Sequence, residues 1–259
     1  MSKWKVGVMV DSLRLPLDEG TRKVAELGAD GFQVYCTGGA MAPETMDAAA
    51  RRKYRKLVES LGLQISALCG DEGKGFLNPK TNPDVIARCR KFVDLAVDLG
   101  TKVITTHIGW LPHDRNAPEW KIGVAAVGEA AAYAEKKGVT FATETGPEPA
   151  EELLDFLQRV PCRGIGVNYD PANLVMNGFD HLGGVGVLAR YIVHTHAKDG
   201  VREGGKGREV PLGKGGVDFP KYLKALEAAG YKGYLTIERE VGENPVADVA
   251  EAVKFLRTF

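Results

Sequence analysis

Short runs of β-branched and aromatic residues alternate with longer stretches of helical periodicity from one end of this chain to the other. That alternation predicts consecutive βα units. Strands are expected at 4–10, 31–35, 64–69, 102–108, 139–145, 164–170, 191–197 and 234–239. Among the intervening helices, Asn82-Pro83 and Asn244-Pro245 place an N-cap and a first-turn proline ahead of an apolar repeat. The first repeat runs through Val85, Cys89, Phe92, Val93 and Ala96, the second through Val246, Val249, Val253 and Leu256. Gly28, Gly62, Gly100, Gly138 and Gly230 each fall just past a helical stretch, where a left-handed C-cap belongs. Eight strands separated by helices, with no linker or shift in composition, predict a single (β/α)8 TIM barrel over residues 1–259 rather than two doubly wound domains.

Composition narrows the picture without changing it. With 44% hydrophobic and 26% charged residues, the chain has the profile of a globular enzyme or binding protein. Basic and acidic residues number 34 each, so no global field attracts nucleic acid. Cys36, Cys69, Cys89 and Cys162 contain no Cys-x-x-Cys pair and are too few for a disulfide scaffold. The N-terminal apolar run is short and stops at Asp11, and no stretch approaches the roughly 20 apolar residues of a membrane span. A cytoplasmic protein with no membrane partner is expected, its oligomeric state left open.

In a barrel of this kind the chemistry sits at the carboxyl ends of the strands. Five successive predicted strands end in ionisable side chains: His107, Glu144, Asp170, His196 with Lys198 and Asp199, and Glu238. His194 and His196 share one face of their strand, either as core histidines with partners or as parts of a metal or substrate site. Glu144, Asp170, His196 and Glu238 would converge above the barrel, and three unpaired carboxylates there would repel one another. A divalent cation resolves that repulsion. Three oxygen ligands and an imidazole suit Mn²⁺ first, then Mg²⁺, with Co²⁺ and Zn²⁺ compatible.

The motifs Thr143-Glu144-Thr145-Gly146, Asp170-Pro171-Ala172-Asn173, His194 to Asp199, Gly213 to Phe219 and Ile237-Glu238 follow one another in order along the chain. Together they resemble the sugar phosphate isomerase/epimerase superfamily. These are the xylose-isomerase-like TIM barrels that include ketose 3-epimerases, hydroxypyruvate isomerase, inosose dehydratase and endonuclease IV. The resemblance implies that Glu144, Asp170, His196 and Glu238 are the ligands of one catalytic divalent ion. It also implies that Arg202, six residues beyond His196, helps hold the ligand network and substrate. Asn173 stands where ketose epimerases carry a substrate-binding histidine, and Cys69 near where endonuclease IV has an early zinc histidine; both departures, with the neutral net charge, argue against the nuclease.

The expected activity is metal-dependent isomerisation or epimerisation of a sugar or keto-polyol through an enediolate. Glu144 and Glu238 would move the protons. A dehydratase of the inosose type and a non-catalytic sugar-binding barrel are the alternatives. His107, Trp110, Asn173, His194, Lys198 and Arg202 are the expected substrate-side residues, with Tyr35 and Asp11 as lesser candidates; His194 is alternatively a support for the site from deeper in its strand, and Lys198 alternatively a partner of Asp199. The glycine-rich stretch from Gly204 to Gly216 is expected to be a flexible lid, and its Lys206, Arg208 and Lys214 are the residues suited to a phosphate.

Overall fold

The computed structural model describes residues 3–259; Met1 and Ser2, included in the single-domain expectation, lie outside the described residues. All eight expected strands form: β1 Lys5–Met9, β2 Gly31–Tyr35, β3 Gln64–Cys69, β4 Val103–Thr106, β5 Thr140–Glu144, β6 Ile165–Tyr169, β7 Ile192–Ala197 and, last in the chain, β10 Tyr234–Ile237. They close in the order β1-β10-β7-β6-β5-β4-β3-β2, with every pairing parallel. The remaining two strands, β8 Asp199–Glu203 and β9 Lys206–Val210, form an antiparallel hairpin outside the barrel.

The helices are α1 Leu17–Glu26, α2 Ala48–Ser60, α3 Asn82–Leu99, α4 Pro118–Lys136, α5 Ala150–Arg159, α6 Pro171–Asn177, α7 Gly183–Leu188, α8 Phe219–Ala228 and α9 Pro245–Leu256. Asn244 caps α9 as expected, its Oδ1 accepting from Ala247 N at 3.3 Å. Asn82 does not cap α3. It is the first helical residue, and its amide instead donates to Phe76 O at 2.9 Å, tying the preceding loop to the helix. Gly28, Gly62, Gly100, Gly138 and Gly230 all have left-handed φ, between 69° and 81°. At Gly100 the reversed backbone lets its N–H reach Val97 O, closing the last turn of α3 before β4 begins.

Two layers of different character result. Outward strand residues such as Val6, Val8, Phe32, Val34, Phe141 and Val167 are buried against the helices and make the apolar core. The inside of the barrel is polar. Gln33 on β2 reaches His196 on β7 at 2.8 Å, and Ser66 on β3 reaches His194 on β7 at 3.2 Å. Those strands are not neighbours in the closed order, so both bonds cross the interior. A barrel filled with amides and imidazoles needs every polar atom partnered, and this requirement fixes the orientation of the groups at its mouth.

The hairpin corrects the expectation of a flexible lid. Gly204 and Gly205 both have φ above zero, as a two-residue type I′ turn demands, and five residue pairs run between the strands. Its close packing on α6 is shown at Gly207, where an added Cβ would lie 2.5 Å from Met176 O. The loop that follows is held just as firmly. Buried Asp199 accepts backbone N–H bonds from Gly200 at 2.9 Å, Gly213 at 3.0 Å, Gly215 at 2.8 Å and Val217 at 3.1 Å. The donors that might have cradled a phosphate are therefore taken by an internal carboxylate. Burial outweighs these bonds and holds the Asp199 carboxyl above its ordinary value.

Candidate metal centre and active site

Glu144 ends β5, Asp170 follows β6, His196 lies near the end of β7 and Glu238 follows β10. One donor atom from each falls within 4.8 Å of the others, and all four residues are buried. His196 Nδ1 lies 3.3 Å from Glu238 Oε2, 3.5 Å from Glu144 Oε1 and 3.6 Å from Asp170 Oδ2.

The surroundings of each group aim one atom inward. Asp170 caps α6, where its Oδ1 accepts from Ala172 N at 2.8 Å and Asn173 N at 3.1 Å. Its Oδ2 is left buried with no hydrogen-bond partner. The same is true of His196 Nδ1. The other ring nitrogen, Nε2, has its shorter contact with Gln33 Oε1 at 2.8 Å and a longer one with Asn168 Nδ2 at 3.2 Å, and the Gln33 amide is itself oriented by donating to Thr105 Oγ1 at 2.6 Å. A proton on Nε2 satisfies the shorter contact and leaves the Nδ1 lone pair for a cation. Two orphaned buried atoms amid three carboxylates, one with its lone pair turned inward, fit a hard divalent ion.

Glu144 is held on both oxygens, by Asn168 Nδ2 and by Asn173 Nδ2, each at 2.9 Å. Glu238 Oε2 accepts from Lys198 Nζ at 2.9 Å, and Lys198 also pairs with Glu240 and lies 3.9 Å from Asp170 Oδ2. Burial alone would lower the Lys198 and His196 pKa values. The carboxylates override it: Glu238 and Asp170 lead in raising Lys198, and Glu238 and Glu144 lead in raising His196. Glu238 moves the other way. Burial would raise it, but the His196 and Lys198 charges bring it below the usual carboxylate range. The field that protonates His196 is the field that would attract a metal ion, so proton and metal compete for one place.

The sequence-derived substrate residues divide. His107, just past β4, donates from Nδ1 to Asp71 Oδ2 at 2.6 Å and lies 3.7 Å from Glu144 Oε1 through its other nitrogen. Burial would lower it, but Glu144 and Asp71 raise it to about 9. Asn173 and Lys198 also touch the cluster, as described. His194 lies deeper in the barrel than the four. It is buried below His196, with Nδ1 on Asn168 Oδ1 at 2.8 Å and Nε2 on Thr236 Oγ1 at 3.0 Å and Ser66 Oγ. Burial, then the neighbouring His196 charge, keep its pKa well below the ordinary value. It braces Asn168, which in turn holds Glu144.

Arg202 stands apart from the four: on the exposed hairpin it donates to Met176 O at 2.7 Å and packs against Gly178. Trp110 is 80% exposed in the loop after β4. Tyr35 and Asp11 meet each other, Asp11 Oδ2 accepting from Tyr35 N at 2.9 Å.

Gln33, Asn168, Asp71 and Glu240 are the parts that inspection of strand ends passed over. Gln33 and Asn168 did leave a signal, each being a lone amide in the middle of an otherwise apolar strand. Glu148, in the loop between β5 and α5, is a further one. It is buried, its Oε2 has no partner, and burial pushes its carboxyl up to about 7.

A closed parallel barrel thus carries at its carboxyl end three carboxylates and an imidazole that could hold a divalent metal ion. The chain belongs to the xylose isomerase-like TIM barrel family, whose family model matches residues 21–259. It is 26% identical over 269 aligned positions to the inosose dehydratase of Geobacillus thermodenitrificans, covering 90% of this chain and 87% of that one. A 64-residue stretch is 42% identical to L-ribulose-5-phosphate 3-epimerase of Salmonella paratyphi B, covering 24% of this chain and 22% of the epimerase. Among solved structures, a xylose isomerase domain protein from Planctomyces limnophilus superposes with a TM-score of 0.84 at 27% identity, covering 98% of this chain and 95% of that one.

Proposed function

We propose that this protein is a divalent-metal-dependent isomerase or epimerase of a sugar or keto-polyol, with Glu144, Asp170, His196 and Glu238 holding one ion. The observation that carries the reading is the pair of orphaned buried atoms, Asp170 Oδ2 and His196 Nδ1, within a four-residue donor group spanning no more than 4.8 Å. Mn²⁺ or Mg²⁺ suits this oxygen-rich set best. A bound ion supplies positive charge against which a substrate carbonyl oxygen can become anionic. The rest is the work of the chain's own residues. Glu144 and Glu238, each within 3.5 Å of His196 Nδ1, serve as the proton-removing and proton-returning groups on an α-hydroxycarbonyl substrate. Asn168 and Asn173 fix Glu144, while Lys198 fixes Glu238. His107, held by Asp71, presents its second nitrogen beside Glu144, where it meets a substrate oxygen. The four free cysteines fit a reducing, cytoplasmic setting.

Dehydration is the second reading, favoured by the nearly full-length similarity to an inosose dehydratase. The two share proton removal and differ in what leaves. Protein stripped of metal and reloaded with Mn²⁺, Mg²⁺, Co²⁺ or Zn²⁺ would be incubated in deuterated water with ketoses, keto-sugars and inososes. Metal-dependent exchange at carbon, lost in Glu144→Gln, is expected, and loss of water from the product selects the dehydratase. No exchange and no product with any metal would favour a binding barrel, and cleavage of abasic DNA would restore the nuclease.

A further inference from the structure

We infer that the substrate is an uncharged polyhydroxy carbonyl compound, and that phosphate esters and carboxylates are rejected by charge. The inference deepens the functional reading above and rests on it. It follows from counting charges at the mouth. Glu144, Asp170 and Glu238 bring three negative charges, which a divalent ion and the buried Lys198 ammonium together balance. His107 is matched by Asp71 at 2.6 Å. Glu240 remains as surplus negative charge: it pairs with the same Lys198, and its side chain is 59% exposed.

Among the described residues, the guanidinium groups next to Glu238 and Glu240 are engaged. Arg239, next to Glu238, is bound by Glu209 at 2.6 Å and Asp248 at 2.8 Å. Arg14 donates to Gly242 O and Glu240 O, both at 2.9 Å. The backbone donors of the glycine-rich loop are taken by Asp199, as shown above. A phosphate dianion would enter a site already neutral or negative, where the guanidinium groups next to Glu238 and Glu240 are engaged and the loop N–H groups are turned to Asp199. A neutral polyol meets what it needs. Its hydroxyls are donors, and the exposed Glu240 carboxylate beside Lys198 is an acceptor for them. Specificity built this way works by repelling the wrong ligand as well as holding the right one.

Arg202, Lys206 and Lys214 are the exceptions to the count. All three are exposed, with no acidic partner among the described residues, and they lie on the hairpin and the following loop. They are the anchor that a phosphate ester would have to use, and they enter the test for that reason.

The test is binding, measured apart from turnover. Mg²⁺-loaded protein would be titrated calorimetrically at low salt with matched pairs, D-fructose against D-fructose 6-phosphate and L-ribulose against L-ribulose 5-phosphate, with inosose as a further neutral probe. The neutral member is expected to bind about ten-fold or more tighter. Glu240→Gln should narrow that ratio, and so should added salt. An ester that binds more tightly than its neutral partner, with the preference lost in Arg202→Ala, Lys206→Ala or Lys214→Ala, overturns the inference and leaves the metal-dependent reading standing. If no probe binds with or without the ion, both fall together.

Discussion

Replacing Gln33 with leucine would show whether the tautomer of His196 is set from across the barrel. The substitution keeps the approximate volume and removes two bonds, to His196 Nε2 at 2.8 Å and to Thr105 Oγ1 at 2.6 Å. Two consequences separate. Stability should fall by about 1–3 kcal/mol for each buried group left unsatisfied. Metal affinity should fall by about 10- to 100-fold, because the contact left at Nε2 is then the Asn168 Nδ2 donor at 3.2 Å, which favours the tautomer carrying its proton on Nδ1. Thr105→Val is the companion: it frees the Gln33 amide but leaves the acceptor for His196, so it should cost stability with a much smaller loss of affinity. Both would be measured by urea denaturation and by competition with a fluorescent chelator for Mn²⁺ or Zn²⁺. Gln33→Leu protein that is folded, destabilised and still binds metal with wild-type affinity would refute the orienting role.

Asp199→Asn should destabilise the protein by about 2–4 kcal/mol, because an amide nitrogen would replace one of the two oxygens that each accept two backbone N–H bonds. Hydrogen exchange should quicken at residues 213–217, and unchanged protection there would contradict the clamp. Glu148 gives a pH dependence of definite sign. Its folded pKa of about 7 exceeds the ordinary 4.5, so the folded state keeps a proton that the unfolded chain releases between those values. Stability should therefore fall by about 3 kcal/mol as pH rises from 4.5 to 7, and level off above. Metal-free Glu148→Gln should lack this slope, and denaturant midpoints at pH 4.5 and 8 that shift in parallel with wild type would rule it out. Asn173→Ala should leave the ion bound while slowing carbon-bound proton exchange, since it frees Glu144 Oε1 without touching His196 or Asp170 Oδ2; loss of metal instead would make Asn173 a scaffold for the ion.

The barrel was legible because its outward strand faces are apolar and its helices end on glycine, so period and punctuation agreed from Gly28 to Gly230. The four candidate ligands were legible because ionisable residues at successive strand ends have no reason to gather unless something of opposite charge joins them. Gln33 and Asn168 were not: a single mid-strand amide reads equally as an exposed edge or an interior bond, and its partners lie on distant strands. The hairpin was hidden for another reason. Its strands are polar and glycine-rich and pack on Met176 rather than on a core, so no hydrophobic period announced them; the Gly204-Gly205 pair was the one signal. Asp199 looked like a partner for Lys198, yet three of its four donors lie 14 to 18 residues further along. Arg202 and Trp110 entered by position along the chain, and only the fold shows one facing α6 and the other solvent.

The central claim is that Glu144, Asp170, His196 and Glu238 hold one divalent ion, and calorimetric titration of chelator-stripped protein with Mn²⁺ tests it most directly. One ion per chain is expected, with a proton released on binding at pH 7 and binding lost in His196→Ala and Asp170→Ala but kept in His194→Phe. Full affinity in His196→Ala, with binding abolished in His194→Phe, would contradict it.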